Sequence, residues 1–279
     1  MPRCCAASKL PGHRAGVDLA RVGEPCYAAP MLSPRPPHQG VVLAAGEGRR
    51  LRPLTETLPK ALVPFYGRPL LDHAVAHLVR AGVTRIAVNA CYLGDQVARY
   101  VDEVLAPAHP QIAFHVSPED TLLGTGGALV RLAPWLDDAP FWVTNADNLY
   151  AEPLVDLWAH HLASGAAATL LVTRDPAFVS LRRLMRDDHG FLTGLREPWD
   201  PAGAVFCGVQ LAEPSLVARL PPGPSCNLRQ GYLPFLAGGL RVATWETTRF
   251  WADTGTPERL ADAVRRARQV LAEVLADAR

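Results

Sequence analysis

No apolar run in this sequence approaches the ~18 residues that a membrane-spanning helix needs, so no membrane partner is expected. The chain also lacks an excess of either charge. Its 28 Lys and Arg against 27 Asp and Glu leave a formal net charge of +1. No global field therefore favours nucleic acid or an anionic membrane, and any electrostatic work must be local. Paired cysteines are missing too. Cys4, Cys5 and Cys26 fall in the first 26 residues, while Cys91, Cys207 and Cys226 are far apart, and no C-x-x-C occurs. That spacing gives no zinc or disulfide framework and reads as the reduced thiols of a cytoplasmic protein. Two nucleotide signatures are absent. There is no G-x-x-x-x-G-K-[ST] string, and Leu51 stands where a dinucleotide fingerprint needs its third glycine.

Residues 1–38 are rich in Pro, Arg, Cys and Ala, with no sustained periodicity and no apolar core of a secretory signal. They are expected to be a disordered leader or an overextended start, since Met31 lies just before the first strand. The fold is expected over 39–279. From residue 40, short apolar runs alternate with helical stretches. Strands are expected at 41–45, 85–90, 112–116, 141–145 and 167–173, with helices at 69–82, 93–105, 126–136 and 154–163 between them. Strands apolar on both faces and alternating with helices imply an α/β fold: a Rossmann-like, mostly parallel sheet sandwiched by helices. The second half reads as more mixed, with strands at 191–196, 204–211 and 240–246. A closing helix is expected over 256–276, with Thr256 as N-cap and Pro257 at its first position. Mobile segments are expected around 175–188 and 220–225.

A parallel sheet places ligands beyond the carboxyl ends of its strands, and "AAGEGRR" sits at such an end. Gly46 and Gly48 let backbone amides approach a polyphosphate, and Arg50 and Arg52 can add charge-assisted hydrogen bonds to phosphate oxygens.

The longer string "LAAGEGRRLRPLTETLPKALVPFYGRPLL" resembles the sugar-1-phosphate nucleotidyltransferases, which share L-x-x-G-x-G-x-R-L-x-P-L-T…P-K-x-L-x-P…G-x-P-L/M. The resemblance implies a single-domain nucleotidyltransferase fold of the glycosyltransferase-A-like kind, with 39–165 as the nucleotide-binding half and 166–279 as the sugar-phosphate half. It implies that Leu43, Ala44, Ala45, Gly46, Glu47, Gly48, Arg49 and Arg50 surround the triphosphate. Lys60, with Arg50, would act on the reacting phosphates. "SPEDTLLGTGGAL" is similar to the family's E-x-x-x-L-G-T-[AG]-G segment, which implies Glu119, Leu123, Gly124, Thr125 and Gly126 around the base and ribose. "FWVTNADNLY" and "FWADTGTPERL" are similar to its N-x-D and W-x-D-x-G-T-P motifs. They imply Asn145 at the nucleotide, and Asp147 and Asp253 as ligands of one Mg²⁺.

Two departures bear on the substrate. Arg49 stands where many members carry Thr, which resembles the short N-acetylmuramate-1-phosphate uridylyltransferases; "LGTGGA" also resembles mannose-1-phosphate guanylyltransferase-like members. The family's E-K-P lysine is missing. "LREPWD" offers Arg196 and Glu197 instead, and the following F-x-G-type strand offers Gly208; these join Gly127 as sugar-phosphate candidates. Arg182, Arg183 and Arg229 are further candidates from charge alone. His115, His160 and His161 read as structural.

The implied activity transfers a nucleotidyl group from a nucleoside triphosphate to a sugar 1-phosphate. UTP with N-acetylmuramate 1-phosphate is the first pair, and GTP with mannose or heptose 1-phosphate the alternative. A rival from another class is a catalytically weak sugar-nucleotide-binding regulator. The expected assembly is a monomer or small homo-oligomer.

Overall fold

The computed structural model describes residues 35–196, 200 and 202–277. The compact unit runs from Pro36 onward.

β1 (Gln39–Leu43) is buried on both faces and opens into the glycine loop. α1 (Leu70–Arg80) buries Leu70, Leu71, Ala74, Val75 and Leu78, a stripe at helical spacing. β2 (Arg85–Ala90), α2 (Gly94–Tyr100), β3 (Ala113–Pro118), α3 (Gly124–Leu132) and β4 (Phe141–Asn145) continue the alternation. A short β5 (Asn148–Tyr150) precedes α4 (Leu154–Ser164), which stops at left-handed Gly165. The second half holds β6 (Ala168–Thr173), β7 (Arg183–Arg186), β8 (Leu192–Arg196), β9 (Ala204–Ala212), β10 (Val242–Glu246) and β11 (Trp251–Asp253). α5 (Pro257–Asp277) closes the chain. At its start Thr256 Oγ1 accepts the Arg259 N–H at 3.3 Å, the side-chain cap that the sequence implies.

Nine strands form one mixed sheet in the order β8-β7-β9-β4-β1-β2-β3, with β6 on the other edge of β9 and β10 beyond it. The β4-β1-β2-β3 run is wholly parallel. β9 is antiparallel to β4, β6 and β7, and marks where the architecture turns from doubly wound to mixed. Adjacent residues face opposite cores, as strand geometry requires. Val42, Val88 and Leu171 pack with α1 and α4 on one face. Val41, Ala87 and Leu170 pack with α3 and the 216–232 segment on the other. α5 lies outside this sandwich on Val63, Phe65, Leu149 and Ala252. No helix among the described residues is long and apolar enough to cross a membrane, and Cys91, Cys207 and Cys226 are free thiols.

The 175–188 segment, expected to be a mobile loop, contains β7. Its charges conceal the strand. Arg183 is only 4% exposed, and Arg186 donates to Glu246 on β10 at 2.7 Å. Arg174 adds a forked pair to the same carboxylate, and these hydrogen bonds hold Glu246 below the usual glutamate range.

Candidate active site

Leu43 on β1 lies in register with Asn89 on β2 and Asn145 on β4, so three carboxyl ends stand in one row. A polar relay fixes that row to the start of α3. The Ala44 N–H donates to Asn89 Oδ1 at 2.7 Å, Asn89 Nδ2 donates to Glu119 Oε1 at 2.8 Å, and the Leu123 N–H donates to Glu119 Oε2 at 3.1 Å. Glu119 is buried and both of its oxygens are occupied, so it shapes the wall from behind.

Gly48 is left-handed at φ +63. An added Cβ would stand 2.9 Å from Thr55 Cγ2 and 3.1 Å from Lys60 Cβ. Thr55 Oγ1 donates to the Gly48 carbonyl at 2.8 Å, so the loop is turned tightly over Lys60. Lys60 is 12% exposed and forms an ion pair with Asp147. Glu47 and Arg49 pair with each other at the open mouth, where the arginine's hydrogen bond lowers the Glu47 carboxyl pKa. These elements enclose a cavity of about 420 Å³. Leu43, Ala44, Ala45, Gly46, Gly48, Arg49, Arg50, Lys60, Gly124, Thr125 and Asn145 all line it.

Leu123, Gly126 and Gly127 are not part of this cavity's lining, and the two glycines serve packing. The Gly126 N–H donates to the Ser225 carbonyl at 2.8 Å, and the Ser225 N–H to that of Leu123 at 2.9 Å. A Cβ on Gly127 would meet the Gly223 oxygen at 2.4 Å. Thr125 Oγ1 donates to Asn227 Oδ1 at 2.8 Å, and Asn227 Nδ2 donates to Gln210 Oε1 at 3.0 Å. The glycines thus let the 223–227 segment lie against the start of α3.

A second cavity of about 330 Å³ adjoins the first, and Arg50, Asn145 and Asp147 line both. Asp253 lines it too. β11 pairs antiparallel with β5, setting Asp253 opposite Asn148, and Thr254 donates to the Asp147 carbonyl through its N–H (3.2 Å) and Oγ1 (2.8 Å). The Gly255 N–H donates to Asp253 Oδ1 at 2.7 Å, and Arg259 forms an ion pair with Oδ2. Two carboxylates from adjacent strand ends on one wall are the hard-oxygen donor set that fits Mg²⁺, which takes one or two carboxylates and completes its shell from substrate phosphates and water.

Gly208, at φ +74 in β9, gives this wall its room. A Cβ there would stand 1.9 Å from Asn148 Nδ2 and 2.7 Å from Asn145 Nδ2. Arg196 is exposed at the end of β8 and lines neither cavity; Glu197 lies outside the described residues. Arg182 and Arg229 line the second cavity, whereas Arg183 is buried beneath Gly203. His161 is buried between Thr169 and Glu213, His115 stacks on Trp135 and His160 packs on Trp245. Sequence reasoning missed Ala61, Asn89, Leu122, Ala146 and Gly255 on the first cavity. Asn89 carried a usable signal, a polar residue ending the apolar strand "RIAVNA".

A glycine loop at the ends of parallel strands, with a lysine and two carboxylates beside it, is an arrangement suited to a phosphate-bearing ligand in an α/β protein. Residues 39–177 match the family model for nucleotidyl transferases, and through this domain the chain belongs to that family. It is 30% identical over 226 residues to the mannose-1-phosphate guanyltransferase of Schizosaccharomyces pombe, covering 79% of this chain and 61% of that protein. It is 27% identical over 224 residues to the mannose-1-phosphate guanylyltransferase catalytic subunit beta of Dictyostelium discoideum, covering 79% of this chain and 62% of that protein. The chain therefore spans just over three fifths of these relatives' length. Solved structures share the fold. HddC from Yersinia pseudotuberculosis, complexed with GMP-PN, superposes with a TM-score of 0.69 at 21% identity, covering 82% of this chain and 99% of that one. The inositol-1-phosphate CTP transferase from T. maritima gives 0.65 at 16% identity, covering 82% and 96%.

Proposed function

We propose that the protein transfers a nucleotidyl group from a nucleoside triphosphate to a sugar 1-phosphate, giving an NDP-sugar and pyrophosphate. One observation carries this reading: Arg50, Asn145 and Asp147 stand on the wall of both adjoining cavities. A triphosphate in the first and a sugar phosphate in the second would meet at these residues. A phosphate oxygen of the sugar 1-phosphate attacks the α-phosphorus in line. The bond from that phosphorus to the oxygen bridging to the β-phosphate breaks, and pyrophosphate leaves with the bonding pair.

Nothing in this step needs a covalent enzyme intermediate, so the chain's contribution is positioning and charge. The loop at Gly46 and Gly48 brings backbone amides to the phosphates. Lys60 supplies a point charge beside the α-phosphate. Arg50 reaches the junction with no ion pair among the described residues, so its guanidinium is available to phosphate oxygens. Asp147 and Asp253 would hold Mg²⁺, which when bound would neutralise phosphate charge at that junction.

GTP with mannose 1-phosphate is the first substrate pair to test, ahead of UTP with N-acetylmuramate 1-phosphate, because the similar curated proteins bear mannose-1-phosphate guanyltransferase names. The regulatory-binding rival is less well supported, since Lys60, Asp147 and Asp253 are all retained on the cavity walls. The deciding experiment measures pyrophosphate release from four triphosphates against mannose, glucose, heptose and N-acetylmuramate 1-phosphates. Release with GTP and mannose 1-phosphate is expected. Release confined to another pair would reassign the substrate, and none with any pair would overturn the class.

A further inference from the structure

The proposed reaction requires a cation for the phosphate of the incoming sugar 1-phosphate, and the E-K-P lysine is absent. The position next to the expected site is filled by Arg196, which lines neither cavity. Resting on the nucleotidyltransferase reading, we infer that Arg229 holds the sugar-bound phosphate.

Arg229 lines the second cavity together with Arg50, Asp147 and Asp253. Its side chain is exposed and has no ion pair or hydrogen bond among the described residues, so binding an anion breaks nothing. Of the other arginines that line the two cavities, Arg49 is paired with Glu47, Arg182 is already engaged, and Arg50 stands at the junction where the reacting phosphates would lie. An arginine suits the task because its planar fork matches a phosphate with two parallel donors.

Its backbone is also anchored. Arg229 belongs to the helical turn Asn227–Tyr232. The Cys226 N–H donates to Gln230 Oε1 at 2.9 Å, and Asn227 is held by Thr125 and Gln210. Thr125 starts the helix that walls the nucleotide cavity. One segment therefore braces the triphosphate side and presents a guanidinium to the sugar side. The same cavity offers apolar surface from Leu195, Phe206 and Trp251, suited to the C–H faces of a pyranose. The ligand chemistry is a phosphate monoester on a sugar ring.

The test compares wild type, Arg229→Gln and Arg229→Lys in the full chain, using GTP with mannose 1-phosphate or whichever pair the panel shows to be productive. Losing a charged hydrogen-bonding partner should raise the KM for the sugar 1-phosphate by about ten- to a hundredfold. The KM for the triphosphate should stay within about twofold, and the melting temperature should move little, because the exposed side chain gives up no ion pair or hydrogen bond among the described residues. Arg229→Lys should recover part of the loss. Arg268→Gln, on an exposed position of α5, controls for net charge. An active Arg229→Gln variant with an unchanged sugar-phosphate KM, or with both KM values raised equally, overturns the assignment while leaving the transferase reading intact. A wild type without activity on any pair overturns both.

Discussion

The two adjoining cavities are built by different means. The first, proposed for the nucleotide, stands on β1, β2 and β4, parallel strands held in register, with one unbroken stretch of chain from Leu43 to Ala61 supplying about half of its lining. The second, proposed for the sugar phosphate, draws on β7, β8, β9, β11 and the 226–229 turn, which come together through antiparallel pairing and long connections. A site at the ends of parallel strands inherits its geometry from the sheet. A site made by several separate segments can change its lining residue by residue. The loop that keeps the family pattern and the missing E-K-P lysine fall on opposite sides of this contrast.

If the nucleotide side carries the chemistry, its lysine should matter most. Lys60→Ala is expected to lower kcat by about a hundredfold or more, since one preorganised charge at a transition state is worth ~2.7–4 kcal/mol. Near-normal turnover in a folded variant would break the comparison at its stronger half. The junction comes next. Asp147→Asn and Asp253→Asn should each shift the Mg²⁺ activation curve to higher concentration, and the double variant should be little worse than the worse single, because groups acting on one ion do not add. Unchanged curves would leave both aspartates as partners of Lys60 and Arg259 alone.

On the sugar side, backbone space sets the limit. Gly208→Ala combines positive φ with a clash against Asn145 and Asn148, and should cost about 2–4 kcal/mol in denaturant unfolding. Gly46→Ala meets nothing within 4 Å and should cost less than ~1 kcal/mol. Equal costs would show that the close approach of Asn145 and Asn148 to Gly208 does not limit the fold.

A pH-dependent effect concerns the packing of α1 on β5. His77 stacks on Tyr150 with ring centroids 3.9 Å apart, and burial, aided by Arg80, pushes its pKa down to about 3 from 6.5. The unfolded chain takes up a proton below 6.5 that the folded chain resists. This contribution is therefore complete above pH 6.5 and drains as pH falls towards 3, by at most ~1.4 kcal/mol per pH unit. His77→Phe should flatten the stability loss between pH 7 and 5, while an unchanged slope would place the proton uptake elsewhere.

How much was legible follows the same division. Continuous strings such as "VVLAAGEGRRL" carry both the β-strand period and the loop chemistry, so strand, turn and cavity could be read from neighbouring residues. β7 could not, because "RRLMR" looks like a solvated surface until Arg183 is seen buried and Arg186 paired with a strand 60 residues away. Gly126 and Gly127 looked like ligand-facing glycines, but their neighbour is the 223–227 segment, about 100 residues distant. Arg229 sits just after a Pro-rich stretch whose local pattern gives no sign of a cavity.

The proposed reaction requires two substrates to meet at Arg50, Asn145 and Asp147. The direct test mixes the protein with GTP labelled at the α-phosphate and with mannose 1-phosphate, together and separately, and follows pyrophosphate and the label. Pyrophosphate and a sugar nucleotide retaining the label should appear in equal amounts, and only when both substrates are present. Pyrophosphate release without the sugar phosphate, or no labelled sugar nucleotide from this or any other pair of triphosphate and sugar 1-phosphate, would contradict it.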